Sequence, residues 1–157
     1  MAKEIKYNKL VRDKIPEIIR SRGKTPYIHK ADDKEYFEKL KEKYLEETKE
    51  FFEDNTKEEL SDVLEVTYAF RDYLTFDSEL LEDLAKKEEY TKERFLRKVK
   101  KFIEDHNAKK LGSILGMIYS ACDYIKISKE EVETSRQLKV AAKGKFLERI
   151  ILEKVNE

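Results

Sequence analysis

An all-α fold, a helical bundle of two tandem copies of one helical hairpin behind an N-terminal arm, is what this 157-residue sequence predicts, and three observations predict it. Only 4 Gly and 2 Pro punctuate the chain, too few for the many tight turns of a sandwich or barrel. From Asp33 onward a core-facing stripe recurs at three- and four-residue steps, as in Leu60, Leu64, Thr67 and Phe70. The third observation is an internal repeat at an offset of 51 residues. Laying KEKYLEETKEFFEDNTKEELSDVLEVTYAFRDY (residues 41–73) over KERFLRKVKKFIEDHNAKKLGSILGMIYSACDY (residues 92–124) gives 12 identities in 33 positions. Apolar positions stay apolar across the two, Tyr44 with Phe95, Phe52 with Ile103, Val63 with Ile114 and Val66 with Met117.

Taken in order, residues 1–33 read as an arm holding Pro16, Gly23 and Pro26 and one short helix. Asp13 is expected to cap that helix, which runs through Ile15, Ile18 and Ile19 with Pro16 in its first turn. Residues 34–88 form copy one and residues 89–157 a degenerate copy two, within one domain. Helix breaks are expected at Asp54, Asn55 and Thr56, at Asp77 and Ser78, at Asp105, His106 and Asn107, and at Ser128. A lone hairpin cannot bury its apolar face, so the copies are expected to pack on each other as an intramolecular pseudo-dimer. A further homodimer of whole chains is compatible with this.

The charge arithmetic narrows function. There are 34 basic and 34 acidic residues, and 43% of side chains are charged, yet 39% are hydrophobic and 9 Tyr and 8 Phe are present. Such a chain buries a core and is no disordered polyelectrolyte. A net charge of zero supplies no long-range positive field, which argues against a general nucleic-acid or membrane-surface binder. The single Cys122 makes no intramolecular disulfide, and there is no N-terminal apolar leader or long apolar run. A cytoplasmic protein is expected.

Copy one concentrates acids. Glu46, Glu47 and Glu50 are followed on the next helix by Glu59 and Asp62, and the three- and four-residue steps make them helical neighbours. Five carboxylates converging without a counter-ion repel, and a hard cation with oxygen ligands relieves that repulsion. Magnesium is the first candidate cofactor and manganese its alternative. A Glu run by itself is common in so acidic a chain, and most are solvated faces. Glu59 is less ordinary, because it lies on the line of Val63, Val66 and Phe70, where a carboxylate is seldom placed without a partner.

The repeat provides an internal control. In copy two the five acids become Arg97, Lys98, Lys101, Lys110 and Ser113, whereas the neighbours Glu42, Glu53 and Asp54 persist as Glu93, Glu104 and Asp105. Loss is confined to the acidic cluster and nearby Glu58 and Glu65. One metal site per pseudo-dimer is the simplest reading. The new cations, Lys98 and Lys101 among them, either contact substrate phosphates, pair with the surplus acids of copy one, or form a solvated basic face. His29 and His106 stand alone and read as structural, and the repetition of Tyr68 as Tyr119 favours packing over base stacking.

The arm YNKLVRDKIPEII with RSRGKTP, the stretches KLKEKYLEETKEF and ELSDVLEVTYAF, and the closing KGKFLERI together resemble the all-α nucleoside triphosphate pyrophosphohydrolases, the MazG-like and phosphoribosyl-ATP pyrophosphohydrolase-like group. The resemblance runs through residues 4–74 and, more loosely, 136–152. It implies a magnesium-dependent hydrolase of acid anhydrides that splits nucleoside triphosphates between the α and β phosphates. Its metal motif EExxE with ExxD falls on Glu46, Glu47, Glu50, Glu59 and Asp62. Two features depart from the pattern: a whole degenerate hairpin intervenes before the closing segment, and AAKGKF lacks the usual Glu-Arg pair.

On this resemblance the substrate is a nucleoside triphosphate, with clearance of non-standard nucleotides as the role. Metal held by the five acids would polarise the α-phosphorus and acidify water, with Glu46 or Glu47 taking the proton. Candidate substrate contacts are Asn8, Lys9, Arg12 and Lys14 on the arm and Lys139 and Lys143 near the end. For the arm cations the alternative is ordinary surface charge, and for Asn8 it is a turn cap. Two other functions remain open, a nucleotide- and metal-binding protein with weak turnover and a structural dimerisation domain.

Overall fold

A computed structural model describes residues 3–157, which form seven helices and three strands. In chain order these are β1 (Glu4–Leu10), α1 (Ile15–Ser21), β2 (Thr25–Lys30), α2 (Asp33–Glu53), α3 (Lys57–Tyr73), α4 (Ser78–Leu84), α5 (Lys92–Glu104), α6 (Ala108–Tyr124), α7 (Lys129–Lys143) and β3 (Ile150–Asn156). The chain is mostly helical and divides into two compact units, one of residues up to 43 with 138–157, the other of residues 44–137.

The first unit corrects the all-α expectation. Its strands form an antiparallel sheet in the order β1-β3-β2, with the C-terminal strand in the middle. Ile5 pairs with Val155 and Leu10 with Ile151, contacts separated by nearly the whole chain, so no local periodicity announces them. Val11, Ile150, Leu152 and Val155 make a buried cluster, closed by Ile15 and Ile19 of α1. Asp13 does not cap α1. The N-cap is Lys14, without a side-chain cap, and the Asp13 carboxylate instead accepts the backbone N–H groups of Leu147 at 3.2 Å and Glu148 at 3.0 Å. Desolvation by burial raises its pKa, opposed by those two hydrogen bonds. Gly144 makes this approach feasible: its φ is +85°, and a Cβ there would lie 3.1 Å from the Asp13 Cβ.

The second unit has an aromatic core. Tyr44, Phe51, Phe70, Phe95 and Phe102 are fully buried, and the Tyr44 hydroxyl is 2.7 Å from Thr67 Oγ1. Helices start where a side chain can accept their free N–H groups. Thr56 accepts from Glu59 N, Asp77 from Glu79 N and Leu80 N, Thr91 from Arg94 N and Asn107 from Lys110 N.

Local structure repeats at the sequence offset. Residues 57–73 and 108–124 are both helices of 17 residues, α2 and α5 end at Glu53 and Glu104, and α4 and α7 begin at Ser78 and Lys129. Thr75 and Lys126 carry the matching positive φ values of 58° and 61°. The turns that follow close with matching bonds, Phe76 N to Arg71 O and Ile127 N to Cys122 O.

Contacts between the repeats are reciprocal. Tyr44 lies edge-on to Phe102 at 6.0 Å, and the equivalent pair, Phe95 and Phe51, lies at 6.3 Å. Leu84 abuts Gly112, whose Cβ would be 2.5 Å from that of Leu84, and the equivalent Ser135 donates to Ser61 at 3.3 Å. Thus α4 crosses onto α6 as α7 crosses onto α3.

Candidate metal centre

Packing on α2 decides where its acids go. Tyr44 and Phe51 anchor the helix in the core, and Glu47 and Thr48 lie between them on the same stripe. Both are consequently buried: Glu47 is only 8% exposed, and Thr48 turns its hydroxyl back to Tyr44 O at 2.7 Å. Glu46 and Glu50 flank this stripe and are half-buried.

On α3 the Thr56 cap fixes the first turn, which presents Glu59 and, one turn on, Asp62. A carboxylate in the first turn is favoured by the positive end of the helix dipole. Ligand atoms of Glu47, Glu59 and Asp62 lie within 4.8 Å of one another, as do those of Glu46, Glu47 and Glu50. Glu47 belongs to both groups, so the five acids singled out by spacing are brought together around it. The Oε2 atoms of Glu47 and Glu59 are buried and accept no hydrogen bond. Oxygen donors from two helices, part-buried and close together, fit a hard divalent cation.

The equivalent place in copy two has the opposite chemistry. The Lys98 ammonium donates to Ser113 Oγ at 2.6 Å and to Glu88 Oε1 at 2.8 Å, and Lys110 pairs with Asp105 at 2.7 Å. Arg97 and Lys101 are exposed. Of the two lysines offered as phosphate contacts, then, Lys98 is engaged with its own chain and Lys101 faces solvent.

The remaining candidates lie in the first unit. Asn8 adopts φ +50° where the β1–β3 register shifts, a conformation Asn tolerates, and its carbonyl accepts Lys39 Nζ at 2.8 Å. The Lys9 ammonium sits over the Tyr7 ring at 5.7 Å. Arg12 is buried, donates to Gly144 O at 3.1 Å and lies over Phe146. Lys14 Nζ donates to Ala141 O at 2.9 Å, Lys139 is half-buried and Lys143 is exposed. His29 bridges two carboxylates, Nδ1 to Glu153 at 2.8 Å and Nε2 to Glu35 at 2.9 Å, and those bonds raise its pKa. His106 stands edge-on to Phe102.

Two groups escaped the sequence reading. Glu65, one turn beyond Asp62, is buried and ion-paired with Arg136 at 2.8 Å, and Glu88 holds Lys98. The position of Glu65 on the buried stripe of α3 was the available signal for the first; no pattern announced the second. Comparison with family models, with curated proteins and with solved structures finds no match. Among the described residues no helix is long and apolar enough to cross a membrane.

Proposed function

We propose that this chain is a magnesium-dependent nucleoside triphosphate pyrophosphohydrolase of the MazG-like kind, releasing a nucleoside monophosphate and pyrophosphate. The observation that carries the proposal is the convergence of Glu47, Glu59 and Asp62 from two helices to within 4.8 Å, at positions where the second copy has Lys98, Lys110 and Ser113. A magnesium ion held there would offset the triphosphate's charge and acidify water. Glu47, Glu59 and Asp62 do the holding, because they are fixed by the α2–α3 packing. Glu46, half-buried at the margin, takes the proton of the attacking water as the α-phosphorus gains that oxygen and loses its bond to the β-phosphate oxygen.

The same proposal reads the second unit as a tandem duplication forming an intramolecular pseudo-dimer. Reciprocal contacts support it, since in a two-fold pair residue i of one half meets j of the other while j meets i. The pairs Tyr44–Phe102 and Phe95–Phe51 have this form. Loss of acids from copy two favours a second reading, a nucleotide- and metal-binding protein with weak turnover.

The test is incubation with a panel of canonical and modified nucleoside triphosphates and Mg²⁺, scoring monophosphate and pyrophosphate. Turnover of at least one is expected. Metal binding with no turnover of any would leave the second reading, and no metal binding would leave a purely structural helical domain.

A further inference from the structure

Copy two replaces Glu47 by Lys98 and Asp62 by Ser113, and these two replacements touch each other. Lys98 Nζ is 2.6 Å from Ser113 Oγ and 2.8 Å from Glu88 Oε1, and its side chain is 19% exposed. A positive charge therefore lies between α5 and α6 at the position where, between α2 and α3, three carboxylates face one another. Lys110, in place of Glu59, has swung to Asp105 at 2.7 Å and leaves this spot to Lys98.

We infer that the Lys98 ammonium is a built-in cation standing where the divalent ion of copy one would stand, so that copy two is a dormant metal site closed by its own side chain. The inference rests on the metal reading of copy one. Its physical content is a difference between two hairpins. The cation of α5–α6 is covalently attached and indifferent to chelation, whereas the ion proposed for α2–α3 is one a chelator removes. Glu88, from the segment after α4, gives the ammonium an anionic partner and would be a fourth oxygen donor if carboxylates returned.

The test uses the full chain and Mn²⁺. Reverting the positions as K98E/K110E/S113D should add one bound Mn²⁺ per chain over wild type, read from the free-ion electron paramagnetic resonance signal, and should make the melting temperature rise with Mn²⁺. A folded triple variant that binds no more Mn²⁺ than wild type overturns the inference. Lys98→Met supplies an independent arm: it should lower the melting temperature by about 3 °C, and neither Mn²⁺ nor EDTA should change that deficit. Melting at the wild-type temperature overturns the inference, whether or not the triple variant folds. A wild type that binds no Mn²⁺ counts instead against the reading of copy one, and Lys98→Met still decides the role of the ammonium.

Discussion

The guanidinium of Arg136 on α7 lies 2.8 Å from the carboxylate of Glu65 on α3, and the two side chains are 13% and 3% exposed. Glu133, one turn back, grips the same guanidinium, which also rests over the Tyr68 ring. Its two acidic partners keep Arg136 charged against the opposing effect of burial. Removing one partner of such a pair strands a buried charge and is costly, whereas removing both is not. Arg136→Met should lower the unfolding free energy by about 3 kcal/mol, and Glu65→Leu with Arg136→Met should recover most of it. Urea denaturation of the two variants measures both.

Glu47 is the acid common to both carboxylate groups, so it is the residue whose neutralisation should matter most. Glu47→Gln keeps the shape and removes the charge. Turnover of nucleoside triphosphate should be lost while the circular dichroism spectrum is unchanged, and metal-free protein should melt no lower than wild type because repulsion is relieved. Unchanged turnover would remove Glu47 from the site.

Gly116 admits the backbone of Lys86, with a Cβ there only 2.3 Å from the carbonyl oxygen. Backbone cannot step aside as a side-chain tip can, so Gly116→Ala should cost about 2 kcal/mol by overpacking. Thermal melts of this variant check the value.

His29 gives stability a pH dependence of defined sign. Its pKa in the folded chain is raised by hydrogen bonds to Glu153 and Glu35. The protonated ring is favoured by folding, so its contribution is complete below the unfolded pKa of about 6.5 and is lost as pH rises through the higher folded value. Melting temperatures followed across this range should fall with pH in wild type, and His29→Phe should flatten that component.

Cys122 is buried, and desolvation pushes its thiol pKa up to about 11. Iodoacetamide at pH 8 should label it only after urea unfolds the chain, because the thiolate is the reactive form. Labelling at the same rate in folded protein would contradict the burial.

The parts legible in the sequence are those whose signal is local or repeated. Core residues of the hairpins recur at an offset of 51 residues, and the breaks sit beside them, so the stretches holding the caps Thr56 and Asn107 could be read, though not which residue in each does the capping. The acids of the site were legible for the same reason, being fixed by helical steps on either side of one turn. The sheet was not, because β1 and β2 find their partner only in the last residues of the chain. Asp13 misled for a related reason: its position suggests a cap for the adjacent helix, but its bonds go to Leu147 and Glu148. The contacts of Arg12, a candidate for substrate phosphate in the sequence, with Gly144 and Phe146 were hidden for the same reason.

One position of the repeat carries Glu65 on α3 and Gly116 on α6. The first reaches a guanidinium, and the second lets a main chain come close enough to touch. Were the halves encoded once and assembled from separate chains, a single codon would have to satisfy both surroundings. Glycine would abolish the ion pair, and glutamate would collide with Lys86. In the pseudo-dimer we propose, joining the halves in one polypeptide removes that demand, and each can specialise independently. The two hairpins are therefore not interchangeable: the α3 sequence in the place of α6 would fail on sterics at Lys86, and the α6 sequence in the place of α3 would strand the Arg136 guanidinium.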